Sequence, residues 1–170
     1  EMAPRLLPRE DEDAASVVGE CLEEDGVAIH TGCRVLSVQG GPLAYKAPWS
    51  QYKVTTQLQN GANHTFTFAA LLNATGRAPN VTGLGLDKAN VSYDARSGVH
   101  TDDFYRTSNE KVYAAGDVAS VYKFTHAADW QARCAVRNAF LDAKCQKSRL
   151  LVPWCTYIDP EVAAVGASDM

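Results

Sequence analysis

Between Asp11 and Gly26, apolar residues recur at helical spacing. Ala14, Val17, Val18, Cys21 and Leu22 fall at i, i+3, i+4, i+7 and i+8, a single stripe that predicts a helix over residues 11–25. Asp11 and Asp13 stand at its start, where carboxylates suit the positive helix end. Gly26 stands where a left-handed C-cap belongs. Val27-Ala28-Ile29 then reads as a short buried strand, so the opening of the chain looks like half of a βαβ unit.

The period then changes to two. Arg34 to Gln39, Gln51 to Gln59 and His64 to Ala69 alternate, and together predict a three-stranded antiparallel meander with one wet face. Asn60-Gly61 marks a hairpin between the second and third runs, while Gly40-Gly41-Pro42 starts a looser first connection. Ala69-Ala70-Leu71-Leu72-Asn73-Ala74 is continuously apolar, as in a strand buried on both faces. Thr75-Gly76-Arg77-Ala78-Pro79-Asn80 cannot continue it, which predicts a domain boundary there. Further on, Gly98-Val99-His100 is strand-like, and Val112 to Asp117 reads as a short apolar strand ending in Gly-Asp. A second helix is predicted from about Ala127 to Ala143, with Trp130, Cys134, Arg137 and Leu141 on its stripe. Lys144 to Arg149 reads as a basic linker, and Val152 to Gly166 as the opening strands of another unit.

Composition fits a globular chain: 46% hydrophobic, 21% charged, net charge −4. No stretch approaches the run of about 18 apolar residues that a spanning helix needs, so no membrane partner is expected. The basic residues are scattered, which argues against nucleic acid. Residues 1–10 lack the apolar centre of a signal peptide. The chain opens without an initiator Met and stops at Asp169-Met170 as a strand pattern begins, so it reads as an internal fragment.

Five cysteines, Cys21, Cys33, Cys134, Cys145 and Cys155, are spaced by 12, 101, 11 and 10 residues. That spacing fits neither a zinc knuckle nor a thioredoxin-like pair, so no metal site is expected. They read as buried or half-buried free thiols in a reducing, intracellular compartment. Asn63, Asn73, Asn80 and Asn90 open Asn-x-Ser/Thr triplets, but Asn73 falls in the apolar run, where a glycan would not fit.

The most informative stretch is Ala114-Ala115-Gly116-Asp117. A strand of an open α/β sheet delivers its C-terminal residues to the ligand crevice. Glycine admits close approach of a sugar or phosphate to the backbone. An aspartate accepts from ribose or ribityl hydroxyls, and the helix beyond turns unpaired N–H groups toward negative charge. By itself this pair is also compatible with a plain turn.

Its company narrows the reading. Ala74-Thr75-Gly76-Arg77-x-Pro79-Asn80, Thr107-Ser108, Val112-Tyr113-Ala114-Ala115-Gly116-Asp117 and His126-x-Ala128 follow in one order. Val152-Pro153-Trp154 and Tyr157-x-Asp159-Pro160-Glu161-Val162-Ala163-x-Val165-Gly166 close the set. Across nearly the whole chain this resembles the pyridine nucleotide-disulfide oxidoreductase family, in wording nearest its mercuric reductase-like and dihydrolipoamide dehydrogenase-like branch.

The resemblance implies an α/β architecture of partial NAD-binding and FAD-binding three-layer domains with an antiparallel meander, plus the start of an α+β dimerisation domain. Residues 1–73 would belong to the NAD(P) domain, 74–147 to the FAD domain and 148–170 to the dimer domain. It implies FAD and NAD(P)H as cofactors, a small-molecule or disulfide substrate, and a homodimer when full length. Gly116 and Asp117 would hold the ribityl chain, and Lys123, Phe124, Thr125 and His126 would line the isoalloxazine, with His126 acting through its backbone more than its ring. Gly76 would pack against the nicotinamide dinucleotide and Val35 would contact its adenosine half.

Glu1 matches the acidic residue that ends the second strand of the family's NAD domain. A carboxylate there accepts from a ribose 2′-OH and repels a 2′-phosphate, which favours NADH over NADPH; the competing reading is a frayed terminal charge. No catalytic residue is identified, because the family's disulfide cysteines have no match here. Two alternatives stay open: a member without the disulfide, such as a transhydrogenase or quinone reductase, and a non-enzymatic domain that kept the fold.

Overall fold

The computed structural model describes residues 1–40 and 52–166. Gln51, the Gly41-Pro42 part of the first meander connection and the last four residues of the expected dimer domain lie outside them. The chain divides into two compact units, one comprising Glu1–Ala74 with Tyr157–Val162, the other Thr75–Thr156 with Ala163–Met170.

In the first unit, α1 (Glu12–Glu24) buries Ala15 and Val18. The Val27 N–H donates to Leu22 O and the Gly26 N–H to Glu23 O, both at 2.9 Å. This is a Schellman closure, and it satisfies the carbonyls that a helix end leaves open. Beyond it the expected strand at Val27-Ala28-Ile29 does not form. No strand among the described residues offers it a ladder, and backbone groups without one stay outside a sheet.

The meander forms in the order β1 (Arg34–Gln39), β2 (Tyr52–Gln57), β3 (Asn63–Phe68), antiparallel throughout. Leu36 is an extra residue between Val35, opposite Thr56, and Ser37, opposite Thr55. Such a bulge bends its strand and re-aims the neighbouring side chains. The Asn60-Gly61 turn is a three-residue loop rather than the two-residue turn that this dipeptide commonly makes. Gly61 N–H donates to Leu58 O and Leu58 N–H to Ala62 O, with Gly61 at φ +82°. Alternation on the sheet is weaker than expected. Val54 and Thr56 of β2 are buried, whereas β1 is exposed along its whole length. The 69–74 run is not a strand either, and Leu72 is 87% exposed. Asn73 is exposed with it, so burial does not explain why that triplet would go unmodified.

The second unit packs two small cores. Val81, Val91 and Val99 form one, with Leu86, Val112 and Val118 against them. Tyr105, Cys134 and Ala135 form the other, with Tyr113, Trp130 and Cys145 against them. β4 (Tyr93–Asp94) and β5 (Gly98–Val99) make a short hairpin. The stretch before Gly116 is not a regular strand: Tyr113 makes a single antiparallel bridge to Arg106, and Ala114 N–H donates to Tyr105 O. α2 runs from Thr125 to Leu141, beginning two residues earlier than expected. Its inward face is Ala127, Gln131, Cys134 and Ala135, whereas Arg137 and Leu141 of the expected stripe are exposed. β6 (Trp154–Thr156) and β7 (Val162–Ala164) close the chain. Among the described residues no helix is long and apolar enough to cross a membrane.

The basic linker is pinned to the second unit. Lys147 N–H donates to Asp103 O at 2.7 Å, and its ammonium donates to Thr101 Oγ1 at 3.0 Å. The Asp103 carboxylate accepts from the Ser148 N–H at 2.7 Å, the Ser148 hydroxyl and the Gln146 amide. The Ser148 N–H leads these donors in holding the Asp103 carboxyl below the ordinary carboxylate range. A depressed folded value means stability that is present above the unfolded pKa of about 3.9 and lost as pH falls through the folded one. Urea midpoints of the chain should therefore drop on the acid side of about pH 4. Asp103→Asn should flatten that drop; an unchanged acid limb would refute the latch.

Candidate functional site

The Gly-Asp turn is built by its neighbours. Ala115 is extended, Gly116 turns to φ +75°, and Gly116–Val118 forms a single 3₁₀ turn. Gly116 is buried, and a Cβ there would sit 3.2 Å from Ala128 Cβ, in a conformation that L side chains rarely adopt. Two constraints, space and φ, thus fall on one residue.

Gln131 holds this turn from inside α2. The Gly116 N–H donates to Gln131 Oε1 at 2.8 Å, and Gln131 Nε2 donates to Ser120 Oγ at 2.9 Å. Ser120 Oγ also accepts from the Tyr122 N–H at 3.0 Å. Gln131 is 2% exposed, so both ends of its amide are satisfied within the protein. Lys123 closes the same loop, its ammonium donating to the carbonyls of Asp117 and Ser120. The Asp117 side chain, by contrast, is exposed and makes no bond among the described residues.

The loop leads into the start of α2. Phe124 occupies the N-cap with no side-chain cap, and the first turn carries no acid. The opening N–H groups of this 17-residue helix are therefore left for something else to satisfy, at the positive end of its dipole. The rings of Phe124 and His126 stack at 5.5 Å, and His126 Nε2 donates to Pro153 O at 2.7 Å. With its imidazole so engaged, what His126 offers a ligand is its backbone. Gly116, Asp117, Lys123, Phe124, Thr125 and His126 thus lie on one continuous turn-and-helix-start.

The remaining sequence-derived residues lie elsewhere. Glu1 is in the first unit, where its carbonyl accepts from the Cys33 N–H at 2.9 Å and its amino group donates to His30 O at 2.9 Å. Its carboxylate accepts from the Ala3 N–H at 2.7 Å. Val35 follows two residues after Cys33, exposed and next to the Leu36 bulge. Gly76 lies in the second unit, exposed, at φ +113° with open space around it. A groove of about 590 Å³ runs past Lys111, Tyr113, Ala132, Ala135, Val136 and Phe140. Asp117 and His126 do not line it. Sequence reasoning missed Gln131 and Ser120. The available signal was a lone amide on an apolar helical face, four residues after Ala127 and three before Cys134. Among the described residues no cluster of three His, Cys, Asp or Glu could hold a metal ion.

Comparison with known proteins gives the arrangement its context. The family model described as pyridine nucleotide-disulphide oxidoreductase matches residues 1–132. The chain is 32% identical over 170 residues to the dihydrolipoyl dehydrogenase of Mycobacterium tuberculosis, covering 99% of this chain and 35% of that protein. It is 31% identical over 166 residues to the mercuric reductase of Bacillus cereus, covering 97% and 25%. Among solved structures, the Cu(II) complex of the HOCl-induced flavoprotein disulfide reductase RclA from Escherichia coli superposes with a TM-score of 0.82 at 25% identity, over 99% of this chain and 36% of that one. LpdA from Mycobacterium tuberculosis superposes with a TM-score of 0.78 at 29% identity, over 98% and 34%. The chain spans about a third of the length of the dihydrolipoyl dehydrogenases it matches.

Proposed function

This chain belongs to the pyridine nucleotide-disulphide oxidoreductase family, and from that premise we propose that it serves an FAD-dependent enzyme passing a hydride between a nicotinamide and the flavin. Electrons then go to or from a disulfide or related small acceptor, in a protein that acts as a homodimer. In this reading residues 1–73 contribute to nicotinamide binding, 74–147 to flavin binding and 148–170 to the dimer domain. When bound, FAD supplies the hydride-accepting ring system.

The chain's own residues fit that group by their donor set. Asp117 is an acceptor with nothing else to bind, suited to the hydroxyls of a ribityl chain. The backbone N–H groups of Thr125 and His126 are donors at a positive helix end, suited to the side of the ring that becomes anionic on reduction. Lys123 fixes the loop between them and does not itself reach outward. Gly76 and Val35 are assigned to the nicotinamide dinucleotide, and Glu1 to its ribose 2′-OH. That carboxylate, which accepts from the Ala3 N–H, would meet a 2′-phosphate as a like charge, which favours NADH over NADPH.

The observation that carries the reading is the free carboxylate of Asp117 beside an uncapped helix start. Asp117→Ala in the full-length protein should weaken FAD binding by roughly tenfold or more, about 1.4 kcal/mol. Exposed and unbonded, the side chain should matter little to folding, so the unfolding midpoint should hold. Flavin retained at wild-type affinity would reject the assignment. Titrating the same protein with both nucleotides tests Glu1, and NADPH binding as tightly as NADH would remove its role.

A further inference from the structure

Two of the five cysteines meet away from the proposed flavin site. Cys134, on the inward face of α2, and Cys145, just past the helix end, pack on the same Tyr105-centred core. The two thiols lie near enough to influence each other's ionisation. Cys145 is held in place by Asn138, one helical turn beyond Cys134. Its N–H donates to Asn138 Oδ1 at 2.7 Å, and Asn138 Nδ2 donates to its carbonyl at 2.8 Å and to Phe104 O at 3.0 Å. The Asp142 and Lys144 backbones take left-handed conformations, φ +46° and +53°, to bring the chain back against the helix. Tyr105 is fully buried, and its hydroxyl has no hydrogen-bond partner among the described residues. That hydroxyl lies close enough to feel the charge of both thiols.

We propose that Cys134 and Cys145 form an oxidisable dithiol, at which a small disulfide of the glutathione type converts two thiols into one intramolecular disulfide. The order of events follows from access. Cys145 is half-buried and open to a reagent, whereas Cys134 is buried. Burial, then the neighbouring Cys145 thiol, push the Cys134 thiol up to about 11, which keeps Cys134 protonated at the outset. The Cys145 thiolate attacks one sulfur of the small disulfide, forming a mixed disulfide and releasing one small thiolate. Cys134, losing its proton, then attacks the Cys145 sulfur and expels the second. Two protons and two electrons leave the protein, and the small disulfide is reduced to two thiols. The unpartnered Tyr105 hydroxyl is a donor available to whichever sulfur is anionic.

The proposal does not depend on flavin or nicotinamide binding. The full chain would be treated with oxidised glutathione, its remaining thiols alkylated, and the unreduced digest mapped by mass spectrometry. The expected result is a peptide joining Cys134 to Cys145, with two fewer alkylated thiols than the five of the reduced chain. Cys134→Ser should leave glutathione trapped on Cys145. If that core variant does not fold, Cys145→Ser serves instead, and there Cys134 should stay free. Cross-links between other cysteines, stable glutathione on Cys145 of the unsubstituted chain, or glutathione on Cys134 of Cys145→Ser would each overturn it.

Discussion

Replacing Gln131 with leucine is expected to destabilise the second unit by about 1–3 kcal/mol, since the buried Gly116 N–H loses its partner while Ser120 Oγ keeps the Tyr122 N–H. Leucine approximates the volume of the side chain but offers nothing to the Gly116 N–H, which donates to Gln131 Oε1 at 2.8 Å, or to Ser120 Oγ, which accepts from Gln131 Nε2 at 2.9 Å. A loss of that size is a large part of the roughly 5–15 kcal/mol that holds an ordinary domain together. It would also free the turn that presents Asp117. The full-length variant should therefore lose flavin even under conditions where it is still folded. Gln131→Glu keeps an acceptor for Gly116 and loses the donor to Ser120, so it should fall between. Urea unfolding read beside flavin fluorescence distinguishes the two effects, and a leucine variant that matches wild type in both would show the clamp to be incidental.

A methyl group at Gly98 should be worse tolerated than anywhere else tested. Its Cβ would lie 2.1 Å from the Val118 carbonyl oxygen and 2.9 Å from that carbonyl carbon, at φ +89°. These are backbone atoms and cannot rotate aside. A left-handed conformation for a residue with a Cβ costs about 1–2 kcal/mol. Overpacking adds roughly 1–3 kcal/mol. Gly98→Ala should thus cost about 2–5 kcal/mol, the sum of those two ranges. The strain falls on Val118, the last residue of the turn that contains Asp117. Gly76→Ala is the control: its φ is also positive, at +113°, but nothing lies within 4 Å of the added atom. Thermal melts of the two variants should separate clearly, and equal melts would mean that β5 moves off the turn at no cost.

These two residues also show what the sequence could and could not reveal. The meander was legible because period-two alternation needs only its own strands, all of which lie in the chain. The α1 stripe and the Gly26 stop were legible for the same local reason. The runs at 27–29, 69–74 and 112–115 were misread as strands, because an apolar run becomes one only when a neighbour supplies the ladder. Gly116 and Asp117 were visible as residue types, but what holds them was not. Gln131 sits on the buried face of α2, and polar side chains there defeat a reading based on apolar spacing. The stripe through Trp130, Cys134, Arg137 and Leu141 was the more apolar alternative, and it lies about a quarter-turn away from the face that is buried. The Lys147 and Asp103 latch was hidden for another reason, since a basic linker and a clamped one have the same composition.

The link from His126 to Pro153 has a mechanical meaning. A carbonyl can only accept, so the imidazole must present a proton at Nε2, and it does so whether the ring is neutral or charged. A pull on Pro153 would thus reach the first turn of α2 directly, and the head of that helix is braced against the residue that leads into β6.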